Sequence, residues 1–242
     1  MGIEQRKALM AALTAEEDSK DPATVIGTVS RGSTLTDKVY DRLRLALLRG
    51  VWEPGQKITA RSLSRDMEVS LTPVREAMMR LANEAALEVS GTRTFLVPLL
   101  SRSKYQEVVG IRMALEPLAT EAAMPFITAK VLDHLEALNE RMKALIEAEK
   151  FNEALQIDSE FHHTIYELAD QDVLKNIIDA LWLRVGPTRT LLSHTYRRRL
   201  VGYMNHKTII AALRSGDVQA SRAAVVHDIS AGAQNLCLAL KD

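Results

Sequence analysis

A chain of 242 residues, 47% of them apolar and 26% charged, has ample core material and is neither a disordered nor a fibrous protein. A single cysteine, Cys237, excludes an intrachain disulfide or a cysteine zinc knuckle, and no leader-like or membrane-length apolar run interrupts the chain, so a cytoplasmic protein with no membrane partner is expected. The 31 basic and 31 acidic residues cancel overall, yet residues 34–104 carry twelve Lys and Arg against eight Asp and Glu, a local +4 of the sign a DNA-facing module needs.

Residues 1–33 show weak periodicity and read as a flexible N-terminal arm. From Thr36 the pattern sharpens: Val39, Leu43, Ala46 and Leu47 recur at helical spacing, and Gly50 followed by Pro54-Gly55 stops the helix. A short helix fits residues 60–67. After the turn EVS, Thr72 is placed to cap a third helix with Pro73 at its first position, burying Val74, Ala77, Met78 and Leu81. LEVSG and FLVPLL then read as a small β-hairpin turning at Gly91–Thr94. Helix, helix–turn–helix and hairpin predict a winged helix over residues 34–101. Residues 102–242 change character, with helices expected near 103–125, 128–149, 151–169, 171–193, 198–214 and 217–239. Pro117 would kink the first, and Gly216-Asp217 would end one helix and cap the next. The expected fold is therefore mainly α: an N-terminal winged helix–turn–helix followed by an all-α antiparallel six-helix bundle.

The third helix presents Thr72 and Arg75 at its N-terminal end, the part that enters the major groove in helix–turn–helix proteins. Arg75 can donate two hydrogen bonds to a guanine edge, and the helix start can hold a phosphate. Arg93, at the wing tip, is placed to reach a minor-groove phosphate. The stretch VSLTPVREAMMRL, residues 69–81, resembles the recognition-helix signature of the GntR family of bacterial transcription regulators, and the helical C-terminal half resembles the FCD-type effector domain of its FadR subfamily. That resemblance implies DNA contacts from Arg61, Ser70, Thr72 and Arg75. The chain departs from the family at Leu71, where an arginine is common, and at Glu68, where glycine is common.

In QIDSEFHHTIYELAD, Asp158 and His162 stand four residues apart and share a helix face, with His163 about 100° away and set aside as a bystander. His206 and His227 flank Gly216 at about three helical turns each, which brings them to one height on antiparallel helices. If all four converge, one carboxylate and three imidazoles suit a divalent ion such as Zn, Ni, Mn, Fe or Co. The resemblance to metal-binding FCD domains implies the same ligands: Asp158, His162, His206 and His227. Arg112 either pairs with Glu116 or binds an effector carboxylate, and Arg184 and Arg189 are further effector-binding candidates.

These readings lead to a homodimeric regulator, by resemblance a repressor, that binds a double-stranded operator under the control of a small carboxylate held at the metal. Two alternatives stand beside it: a metal-dependent hydrolase or lyase using the Asp/His ion, and a regulator whose metal is purely structural.

Overall fold

The computed structural model describes residues 34–91 and 94–242. The expected arm, residues 1–33, and Arg93 at the wing tip lie outside the described residues.

Helix α1, Leu35–Leu48, buries Val39, Tyr40, Leu43, Leu47 and Leu48. It closes as a Schellman turn: Gly50 N–H donates to Leu47 O and Val51 N–H to Ala46 O, both at 3.0 Å, with Gly50 at φ +62°. A strand that the sequence pattern did not signal, β1, Lys57–Thr59, follows. Its last residue then caps α2, Ala60–Asp66, where the Thr59 hydroxyl accepts from Ser62 N–H at 3.1 Å. Glu68, at the position where glycine is common, adopts a left-handed φ of +56°, a conformation that strains a residue carrying a Cβ.

Helix α3, Leu71–Asn83, begins two residues earlier than expected. Ser70 occupies the cap position without a side-chain bond, and Thr72 and Pro73 lie inside the first turn. That turn tolerates proline because its N–H groups have no intrahelical partner. Val74, Ala77, Met78 and Leu81 are fully buried, as the stripe predicted. Strands β2, Glu88–Val89, and β3, Thr94–Leu96, form the wing, and β3 lies between β2 and β1 in an antiparallel sheet. Ile58 pairs with Phe95, and both point into the core.

The bundle opens with α4, Arg102–Ala123, which runs through Pro117 as one helix. Then come α5, Ala129–Glu147, α6, Phe151–Glu167, and α7, Asp172–Val185. The helix expected over 171–193 breaks at Gly186-Pro187 into a 3-10 turn, Pro187–Leu191. The missing proline N–H cannot continue the ladder. A short helix α8, His194–Arg198, precedes α9, Val201–Ser215, and α10, Val218–Ala239. Gly216 at φ +72° ends α9 and Asp217 caps α10, its carboxylate accepting from Ala220 N–H at 2.9 Å. Seven α-helices thus make up the bundle among the described residues, with α4 against α10, α5 against α6, and α9 against both α5 and α10. No helix of the described residues is long and apolar enough to cross a membrane.

The winged helix and the bundle share one continuous core. At their seam a Cβ on Gly186 would stand 3.0 Å from Leu47 O and 3.2 Å from Leu48 Cα, and one on Gly50 would stand 2.4 Å from Thr190 Cγ2. Only glycine admits that approach.

Candidate functional site

Two places carry chemistry. The first is the exposed start of α3. Ser70, Thr72 and Arg75 are all exposed, and Arg61 from α2 and Arg75 line one shallow depression with Leu71 and Thr94. Neither guanidinium makes an ion pair or side-chain hydrogen bond among the described residues. Arg80, one turn further on, is spent on Asp37, Glu84 and the Tyr40 ring. Two uncommitted guanidiniums beside a helix start whose cap side chain makes no hydrogen bond have the chemistry that would hold a polyanion.

The second is a cavity of about 110 Å³ inside the bundle. Helix α6 supplies Asp158 and His162 one turn apart, α9 supplies His206, and α10 supplies Asp228. The ligand atoms of Asp158, His162 and His206 all lie within 4.8 Å of one another. His162 Nε2 faces His206 Nε2 at 3.2 Å and Asp228 Oδ2 at 3.2 Å, while His206 Nε2 lies 3.5 Å from Asp158 Oδ1. His227, the fourth ligand expected from sequence, is exposed and does not join them. Its successor Asp228 does, because one step along a helix turns the side chain by about 100°. Counting turns from Gly216 fixes height but not direction.

The surroundings orient these groups. Phe161 stacks on the His206 ring with centroids 3.9 Å apart and planes 2° from parallel. The Tyr166 hydroxyl donates its proton to Glu116 Oε2 at 2.6 Å, so toward His162 Nδ1, 3.2 Å away, it can only accept. His162 therefore carries its proton on Nδ1 and turns a lone pair on Nε2 toward Asp228. Two acceptors at 3.2 Å need a cation, either a second proton on the imidazole or a metal ion. The two imidazole nitrogens and the Asp158 carboxylate converge as a divalent metal would require, and Asp228 adjoins them through His162.

Burial pulls the Asp158 carboxyl upward, but Arg189 and then the two histidines outweigh it and hold it well below the usual carboxylate range. Asp228 is likewise pulled up by burial and brought below its ordinary value by His162 and His206. Both are anionic at neutral pH.

The effector candidates separate. Arg189 lines the cavity, buried, with Nη2 on Asp158 Oδ2 and Nη1 on Ser159 Oγ at 2.7 Å. Arg112 also lines it but is committed to Glu116 at 2.5 Å and lies 4.3 Å from the centre of the Trp182 ring. Arg184 does not line it. It sits about 200° around α7 from Trp182 and donates to Glu84 O at 3.2 Å across the seam with the winged helix. His163 is not idle: Nδ1 lies 2.7 Å from Ser159 O and Nε2 3.2 Å from Asp179 Oδ1. Sequence reasoning missed Asp228, Tyr166 and the buried Tyr105. Only Tyr166 left a trace, as the i+4 partner of His162.

Comparison with known proteins agrees with this architecture. Residues 35–97 match the family described as bacterial regulatory proteins, gntR family, and residues 107–231 match the FCD domain. The HTH-type transcriptional regulator McbR of Escherichia coli (strain K12) is 29% identical over 191 residues, covering 78% of this chain and 86% of that protein. Its solved structure, E. coli McbR/YncC, superposes with a TM-score of 0.76 over 85% of this chain and 96% of that one, at 27% identity. The gluconate operon transcriptional repressor of Bacillus subtilis (strain 168) is 26% identical over 209 residues, covering 83% of this chain and 84% of the repressor.

Proposed function

This chain belongs to the GntR family of bacterial regulatory proteins and carries an FCD domain, and from that premise we propose that it is a metal-containing repressor whose grip on operator DNA is set by a small carboxylate. Transcription regulation, with DNA as the partner, is common ground with its relatives, and the hydrolase and lyase readings are set aside because those families and relatives are regulators, not enzymes.

In this reading residues 34–101 read DNA and residues 102–242 sense the ligand. Arg75 addresses a base edge, while Arg61, Ser70 and Thr72 fix the helix on the backbone. One helix reads too few base pairs for useful specificity, so a homodimer on a pseudo-palindrome is required. Exposed Ile111 and Leu118 on α4 and Val173 and Ile177 on the adjoining α7 offer the apolar surface a dimer uses. The operator also places the protein in the cytoplasm.

In the bundle Asp158, His162, His206 and Asp228 would hold a divalent ion of the Zn, Ni, Mn or Fe group. When bound, that ion supplies open positions for a carboxylate. Arg189 keeps Asp158 ionised and turned toward His206, and Tyr166 fixes the His162 tautomer. The observation that carries the reading is the convergence of Asp158, His162 and His206, whose ligand atoms lie within 4.8 Å of one another at a cavity inside the bundle.

Selection of bound duplexes from a random pool tests the DNA half. A palindromic site should be enriched, and Arg75→Ala should lower affinity for it by about 1–3 kcal/mol with unchanged circular dichroism. Failure to enrich any site would remove the regulator reading. Elemental analysis of the purified chain, with one divalent ion per protomer expected, tests the other half.

A further inference from the structure

We infer that Leu71 reads the C5 methyl of a thymine in the major groove, so that each operator half-site carries a T·A pair within about two base pairs of the guanine that Arg75 addresses. The inference rests on the DNA-reading role proposed above for α3 and narrows it to a base.

The first ground is position. Leu71 is the first residue of α3 and is 41% exposed. It stands one turn before Arg75 and about 40° from it around the helix, whereas Thr72 stands about 100° away. Wherever Arg75 points, Leu71 points beside it. The helix rises about 6 Å between the two residues and base pairs stack about 3.4 Å apart, so their side chains reach bases within about two steps of each other.

The second ground is the surface around it. Of the two large apolar residues that α3 exposes, Leu71 and Met79, only Leu71 lines the depression shared with Arg61 and Arg75. Ala60 and Phe95, both buried, line it too. Its floor is therefore hydrocarbon, while its rim carries two guanidiniums without ion-pair partners among the described residues. A surface that met only phosphate oxygens would gain nothing from such a floor, because an anion there loses water and receives no hydrogen bond in return. A base edge that carries one methyl group matches it.

The third ground is chemistry. The leucine side chain neither donates nor accepts. Against guanine O6 and N7, or the amino groups of adenine and cytosine, it covers polar atoms that water had satisfied. Thymine alone among the four bases presents a methyl group at the major-groove edge. Burying that methyl is worth roughly a fourfold preference per half-site.

Deoxyuridine, which pairs as thymine does but lacks the methyl, tests this without altering the protein. The duplex enriched from the random pool is remade with deoxyuridine at each thymine in turn, and the affinity of the full chain is read by fluorescence anisotropy. One position, near the guanine whose preference Arg75→Ala abolishes, should weaken binding about fourfold in one half-site and about fifteenfold in both. At that position 5-methylcytosine should bind about fourfold more tightly than cytosine. Leu71→Ala should bind the thymine and deoxyuridine duplexes equally, and Leu71→Arg should move the preference at that pair to guanine. A methyl effect that persists in Leu71→Ala belongs to another side chain and overturns the inference. So does an enriched site whose thymines can all be replaced without loss. A pool that enriches no duplex defeats the DNA reading beneath it.

Discussion

Asp228 and His227 differ by a single step of α10, and in the proposed metal site the ligand set turns on it. His162→Ala and His206→Ala should each strip the metal, and Asp228→Asn should weaken its retention on a chelating column. His227→Ala should leave stoichiometry unchanged in elemental analysis, because that side chain is exposed. Loss of metal in the last variant would restore the imidazole to the ligand set. Asp158, His162 and His206 were legible in the sequence because i,i+4 spacing and a glycine hinge constrain height. Direction around α10 was not, since it depends on how that helix is rolled against α4 and α9. Arg112 shows the opposite case: both of its readings were open, and the structure commits it to Glu116 while leaving it on the cavity wall.

Elements were easier to read than their ends. Buried stripes such as Val74, Ala77, Met78 and Leu81 follow directly from helical period, and the Gly216-Asp217 junction follows from backbone chemistry. Strand β1 was hidden because the alternation of Lys57, Ile58 and Thr59 spans only three residues, too few to stand out before pairing with β3. The break after Val185 was legible as Gly-Pro, yet the apolar pattern ran across it. Its purpose lies in the seam: Gly186 meets backbone atoms of α1 that cannot rotate aside. Gly186→Ala should therefore cost about 1–3 kcal/mol, read as a lowered midpoint in chemical unfolding. An unchanged midpoint would mean that α1 and α7 yield to each other freely.

Across the whole molecule, Asp179 on α7 ties the winged helix to the bundle. Its carboxylate meets Arg44 of α1 at 2.9 Å, Lys175 at 2.8 Å and His163 at 3.2 Å. His163 directly follows His162, so α6 touches both the Asp158–His162–His206 cluster and this junction. Burial tends to raise Asp179, but His163, Lys175 and Arg44 together bring it down to about 2. Because the folded value lies below the unfolded one of about 3.9, its contribution is complete above about pH 4 and fades as pH falls toward 2. Asp179→Asn should thus lose about 2 kcal/mol at pH 7, with urea curves of variant and wild type converging near pH 2. Curves that stay equally far apart at both pH values would assign the loss to packing instead.

The contact of Gly50 with Thr190 and of Gly186 with the end of α1 also bears on modular engineering. A chimaera that grafts another regulator's winged helix onto this bundle inherits a joint with no slack. Under the proposed function it will transmit ligand occupancy only where the incoming helix ends in a comparably bare turn. Swaps that ignore this should yield proteins that bind DNA and bind acid but no longer let one event report on the other.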